Sequence, residues 1–252
     1  AAVGAILEET GASAVDLVGH SLGGLFAYCF CGGPDRDLVG RAVTIAAPGS
    51  FRRFFGRATP ALRGPAGMLS PLARRLGGFG VDRLAQSSGP VGHLVALRRH
   101  MGLGATTRQQ RRAWLDHGVE DMSGGDLAQL MRWIGRDGLT DHAGDHDYRV
   151  HLQSITTPTL VLRPAGDRLV SRDVVREAFD RIGTVDKRFL EIGRRSGATR
   201  DYNHADVLLS RSAVHDVHPH VVEWLGRPVS PRASGGEPAV GAVTRSEERS
   251  GG

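Results

Sequence analysis

The stretch "VDLVGHSLGGLFAYCF", Val15 to Phe30, constrains this chain more than any other. An apolar run leads into a serine with Gly19 two residues before it and Gly23 two residues after it, and a second apolar, proline-free run follows at once. "AVDLVG" reads as a strand buried on both faces, and Leu22 to Cys31 as a helix that starts almost at Ser21. A strand and a helix joined by so little chain require a very tight turn. Ser21 at its apex is either a plain turn residue or a nucleophile.

A serine hydroxyl attacks poorly at neutral pH unless a base takes its proton, an acid orients that base, and donors receive the oxyanion. Gly-x-Ser-x-Gly between a strand and a helix supplies much of that geometry. The serine takes a strained backbone conformation, and side chains two positions away on either side are expected to collide, hence Gly19 and Gly23. The helix N-terminus lies beneath the hydroxyl, so the backbone N–H of Leu22 is the expected oxyanion donor. The five-residue pattern alone is weak, since glycine and serine are common. Its place between "VDLV" and an apolar helix favours the nucleophile.

The neighbouring sequence continues in the same alternation. Ala2 to Glu9 has helical spacing of Val3, Ile6 and Leu7, with Gly11 as a stop. "GRAVTIAAP" is a second buried strand, so the first fifty residues read helix, strand, helix, strand, which implies a parallel sheet. The rhythm stops from 51 to 150, an Arg- and Gly-rich insertion whose clearest helix is "GGDLAQLMRWIG". It returns with the strand "TPTLVLRPAGD", the helix "SRDVVREAFDRIG" with Ser171 as its N-cap, the strand "KRFLEIG" and a last helix, "SAVHDVHPHVVEWLG". The expected core is thus 1–50 and 151–226. Residues 227–252 are rich in Pro, Gly, Ser and charge, and read as a disordered tail.

Composition narrows the function classes. The formal charge is +5 and the isoelectric point about 10.0, but Lys187 is the only lysine and no nucleic-acid motif accompanies the arginines. Nucleic acid is therefore not an expected partner. Twelve arginines against one acid, Asp82, fall between Phe51 and Arg112, a solvated or membrane-facing surface. "RGPAGMLSPLARRLGG" within it is a candidate for contact with an anionic lipid surface. Cys29 and Cys31, two apart on a helix, point to different faces and read as packing residues. No signal-peptide pattern or apolar run of spanning length is present, and the expected location is cytoplasmic.

The chain order of serine sites on such sheets is Ser, acid, His. Asp167 follows the strand "TLVLRPAG" and stands at the same carboxyl edge as Ser21, with a turn or capping aspartate as the competing reading. Asp141, Asp145 and Asp147 precede that strand, and Asp201 and Asp206 lie too near the candidate base. For the base, His204 in the loop "RDYNHADVLLS" reaches over the sheet edge. His20 belongs to the elbow itself, and His93, His100 and His117 in the insertion are expected to face solvent. "DHAGDHDYRVH" and "HDVHPH" lack a metal-ligand spacing, so neither metal nor cofactor is expected.

These segments resemble the α/β-hydrolase superfamily. "VDLVGHSLGG" is similar to its nucleophile elbow, "TPTLVLRPAGDRLVS" to its strand and acid, and "DYNHADVLLSRSAVHDVHPHVVEWL" to the histidine loop and last helix of lipase-like and polyhydroxyalkanoate-synthase-like members. The resemblance implies a mostly parallel sheet flanked by helices, with 51–150 in the place of a helical cap. It implies Ser21 as nucleophile, Asp167 as acid and His204 as base, acting on a small-molecule or lipid ester through an acyl-enzyme. An inactive remnant and an acyltransferase with the same triad are the alternatives. Serine stands where the synthases have cysteine, which favours hydrolysis. Asn203 replaces the usual glycine, an exchange attributed to tolerance of left-handed backbone. The family's first strands and its His-Gly loop are missing from this sequence, so the chain is expected to be a fragment whose elbow strand forms a sheet edge.

Overall fold

The computed structural model describes residues 2–51, 98, 100–102, 104–117, 122–136 and 138–228, with isolated positions between 61 and 79. Four parallel strands carry the fold: β1 (Val15–His20), β2 (Val39–Ile45), β5 (Thr159–Pro164) and β6 (Lys187–Ile192), in the order β1-β2-β5-β6. Helix α1 (Ala2–Thr10) precedes β1, and α2 (Leu22–Gly32) crosses to β2. Between β2 and β5 lie a small antiparallel pair, β3 (Gly78–Phe79) with β4 (Met122–Ser123), and helices α3 (Arg108–His117) and α4 (Gly124–Arg136). Helix α5 (Arg172–Arg181) connects β5 to β6. Three short helices follow: α6 (Asp206–Leu209), α7 (Ala213–Asp216) and α8 (His218–Leu225).

Successive strand residues point to opposite faces, and the two middle strands divide their side chains accordingly. Ala42 and Val161 enter one core with Tyr28 and Cys31 of α2 and Val174, Val175 and Ala178 of α5. Val43, Ile45, Leu160 and Leu162 enter the other with Tyr202, Val207, Val217 and Trp224. Helices therefore cover both faces, which is why β2 and β5 read as unbroken apolar runs. The Tyr28 hydroxyl meets Thr44 Oγ1 at 2.7 Å and pins α2 to β2. Cys29 and Cys31 form no disulfide and lie on different packing surfaces, as their spacing requires.

β1 is not buried on both faces as its apolar run suggests, but lies at the sheet edge expected for the elbow strand. Among the described strands it is the sheet edge, with Asp16 exposed and Val18 53 % exposed. A strand with one neighbour has fewer side chains packed over it, and here Arg41 of β2 clamps the edge by a two-pronged ion pair with Asp16 at 2.7 and 3.0 Å. The single last helix read from "SAVHDVHPHVVEWLG" is two helices, broken at Val217. Pro219 enters the first turn of α8, where its missing N–H costs nothing, and the chain before it leaves the helical track. Ser171 does occupy the N-cap position of α5 but its hydroxyl makes no cap bond.

Arg227 and Pro228, within the expected tail, are among the described residues. Arg227 pairs with Asp186 at 2.9 Å and stacks on Trp224, so the folded part reaches it; 229–252 lie outside the described residues. Most of the Arg-rich stretch proposed for lipid contact, and His93, also lie outside them. Among the described residues no helix is long and apolar enough to cross a membrane.

Candidate active site

The turn after β1 is as tight as the sequence demands. Ser21 has φ 55° and ψ −121°, a conformation that non-glycine residues rarely adopt. Its own N–H is held by the Ile45 carbonyl of the adjacent strand at 2.8 Å. The helical ladder of α2 begins with the N–H groups of Gly24 and Leu25 on the Ser21 carbonyl, both at 3.1 Å. The N–H of Leu22 therefore lies ahead of that ladder, among the donors that a helix start leaves without an internal acceptor.

Only one of the two motif glycines is sterically required. A Cβ on Gly19 falls 2.4 Å from the Gly23 oxygen and 2.6 Å from Gly24 Cα. A Cβ on Gly23 meets nothing within 4 Å, which corrects the expected collision there. The second tight position is Gly24, whose Cβ falls 2.6 Å from that of Ala47 and 2.9 Å from the Gly19 oxygen.

Asp167 follows β5 and His204 lies in the loop between β6 and α6, so both arrive at the carboxyl edge beside Ser21. His204 Nδ1 stands 2.9 Å from Asp167 Oδ2, and His204 Nε2 stands 2.9 Å from Ser21 Oγ. A carboxylate only accepts, so Nδ1 carries the hydrogen, and in the neutral ring Nε2 is left to accept the Ser21 hydroxyl proton. The Asp167 side chain is fully buried. Its other oxygen accepts the N–H groups of Leu169 and Val170 at 2.8 and 2.9 Å, which fixes the carboxylate plane.

Two other histidines stand beside His204. His20 donates from Nε2 to the His204 carbonyl at 2.8 Å, with the rings 4.7 Å apart. His100, expected to face solvent, is half-buried, 4.9 Å from the Trp114 ring and 6.3 Å from that of His204. A long-range return of the insertion onto the His204 loop brings it there, and nothing in its local sequence signals that. The His117 side chain lies outside the described residues.

Burial, reinforced by nearby His204, lowers the pKa of His20 from 6.5 to about 4. Between those values the unfolded chain binds a proton at this position that the folded chain does not. The folded state therefore loses stability as pH falls from 6.5 toward 4. His20→Gln, with no group to titrate, is expected to lose less stability than the parent over that window. Urea midpoints at pH 7 and pH 4.5 check it, and equal losses in both proteins would refute it.

The remaining acids have other work. Asp206 is fully buried and accepts the N–H groups of Gly102 and Asn203, while burial raises its pKa. Asp147 pairs with Arg149, and Asp141 accepts the N–H groups of Gly144, Asp145 and His146. Asp201 accepts the Arg194 N–H. His146 and His151 stack at 4.5 Å, and among the described residues no group of three His, Cys, Asp or Glu is arranged to hold a metal. An open groove of about 900 Å³ between α2 and α4, walled by Phe26, Phe30, Trp133 and Tyr148, is lined by none of the three residues Ser21, Asp167 and His204.

Asn203 does not take the left-handed backbone expected of it: among the described residues the non-glycine positions with positive φ are Ser21 and Ala46. Its side chain is instead the one in use, with three hydrogen bonds at the site.

No protein-family model and no curated protein matches the chain. Solved structures do. An α/β-fold family hydrolase from Bacillus anthracis superposes with a TM-score of 0.55 at 12 % identity, over 88 % of this chain and 71 % of that one. A thermophilic esterase from Thermogutta terrifontis gives 0.54 at 14 %, over 87 % and 68 %. An enol-lactonase from Burkholderia xenovorans gives 0.50 at 14 %, over 90 % and 70 %. With a parallel sheet, a strand-serine-helix turn and this breadth of superposition, the chain has the α/β-hydrolase fold.

Proposed function

We propose that the chain is a serine hydrolase that cleaves carboxylic esters through an acyl-enzyme. The observation that carries this is the line Asp167–His204–Ser21, with both links at 2.9 Å and the serine raised on a strained turn at a helix start. In this reading the neutral His204 takes the Ser21 proton as Oγ attacks the acyl carbon. Asp167 keeps the ring in the Nδ1–H tautomer and stabilises the imidazolium. The Leu22 N–H, with the positive end of α2 behind it, receives the oxyanion. His204 then protonates the departing alkoxide, and the same base activates water to release the acid. Likeness in fold to an esterase and a lactonase adds support of a coarser kind. The part of the 51–150 insertion that returns to the His204 loop, through Arg98, His100 and Gly102, is in the place of a cap.

Mixing the chain with excess p-nitrophenyl butyrate tests the covalent step. One equivalent of nitrophenolate is expected in a burst if deacylation is slower than acylation, and trapped acyl-enzyme is expected by mass spectrometry after an acid quench. Absence of both turnover and adduct in the folded chain would overturn the reading.

A further inference from the structure

We infer that Asn203 is a positioning residue that holds acid and base in register and ties both to the insertion; this rests on the proposed triad. Its carboxamide uses both ends. Oδ1 accepts the N–H of Arg168, the residue after Asp167, at 2.9 Å, and also the N–H of His204 itself at 2.9 Å. Nδ2 donates to the carbonyl of Arg98 in the insertion at 3.2 Å. The amide orientation follows from its partners, because two backbone N–H groups can only donate and a carbonyl can only accept. Asn203 is 4 % exposed, so these bonds do not compete with bulk water.

The neighbouring bonds explain why one side chain matters here. The base loop arrives between β6 and α6 and the acid loop after β5, with no shared strand ladder at that level. Main-chain contact between them consists of the Gly166 N–H on the Tyr202 carbonyl at 2.8 Å. Asn203 adds a second link one residue on, so the two loops are fixed at two points and cannot pivot about one. On its other side Ala205 N–H meets the His100 carbonyl at 2.7 Å, and Asp206 takes the Gly102 N–H at 2.8 Å. Arg98, His100 and Gly102 therefore sit on consecutive hydrogen bonds from 203, 205 and 206. A shift of the insertion reaches His204 through the Asn203 amide. Glycine at 203 has no side chain to do this, and aspartate keeps the acceptor while losing the donor.

The test combines a spectroscopic signature with kinetics. In the full chain, the His204 Nδ1 proton bonded to Asp167 is expected as a downfield proton resonance, assigned by its loss in His204→Gln. Asn203→Ala is expected to broaden or remove it while the fold, followed by near-ultraviolet circular dichroism, persists. For p-nitrophenyl butyrate, kcat is expected to fall about 10- to 100-fold with KM little changed, the scale of a misplaced reacting group. Asn203→Asp, which keeps both Oδ1 contacts, is expected to retain the resonance, and it carries the test should the alanine variant not fold. An unchanged resonance in Asn203→Ala, or its loss in a folded Asn203→Asp, overturns the assignment. A parent chain that shows the resonance but no turnover instead refutes the hydrolase reading and leaves the role of Asn203 to the resonance.

Discussion

Ser21→Ala and His204→Ala are each expected to lower kcat for an activated ester by about 10⁴- to 10⁶-fold, and the double variant is expected to be no worse than either single one. In the proposed mechanism the three side chains act as one relay. Without Ser21 Oγ there is no acyl-enzyme for His204 to assist, and without His204 the hydroxyl proton has no acceptor at 2.9 Å. Asp167→Asn is expected to cost less than the loss of either partner. It keeps the oriented loop but offers an amide where Nδ1–H needs an acceptor, favouring the wrong tautomer of His204. Steady-state rates of the four variants decide this. Additive losses in the double variant would mean that Ser21 and His204 serve separate functions.

Gly19→Ala is expected to destabilise the fold by about 3 kcal/mol, while Gly23→Ala leaves stability unchanged or slightly raised. The difference lies in what each new methyl meets. At position 19 it strikes the Gly23 oxygen at 2.4 Å, the Gly23 carbonyl carbon at 2.6 Å and Gly24 Cα at 2.6 Å. All three are backbone atoms at the start of α2, so relief requires moving the helix off β1. The same displacement moves Ser21 relative to His204, and activity falls with stability. At position 23 the methyl enters open space in the first turn of a helix, where alanine is the better helix former. Urea unfolding of the two variants tests the pair, and equal destabilisation would contradict the packing described at the elbow.

These contrasts show which parts of the site the sequence makes legible. The elbow turn, β2, β5 and the position of Asp167 after it are legible because their signals are local. Buried parallel strands appear as continuous apolar runs, and a serine between strand and helix implies one backbone geometry. Ser21, Asp167 and His204, which the structure brings within hydrogen-bond distance of one another, are legible as candidates because each follows, or lies in a loop beyond, such a strand. What stayed hidden depends on contacts far along the chain. Gly24 is confined by Ala47, from beyond the end of the next strand. His100 reaches His204 only because the insertion folds back. Asn203 reads in the sequence as a backbone substitute for glycine, whereas its amide lies between Arg168 and Arg98. The break at Val217 is different in kind, since Pro219 did signal it and apolar periodicity hid the signal.

The exposed position of β1 also bears on the elbow. Val18 sits on β1, which has one neighbour among the described strands, and Ser21 is held there through Ile45 and α2. Among the described residues, pairing of β1 with β2 and the Asp16–Arg41 ion pair hold that strand.

The central claim is that Ser21 is an activated nucleophile. Its most direct test is to expose the folded chain to a fluorophosphonate probe, measure intact mass and map the modified peptide. The account predicts one adduct per chain on Ser21, no adduct in Ser21→Ala, and labelling slowed by orders of magnitude in His204→Ala. A folded chain that stays unmodified, or an adduct that maps to another residue and persists in Ser21→Ala, would contradict it.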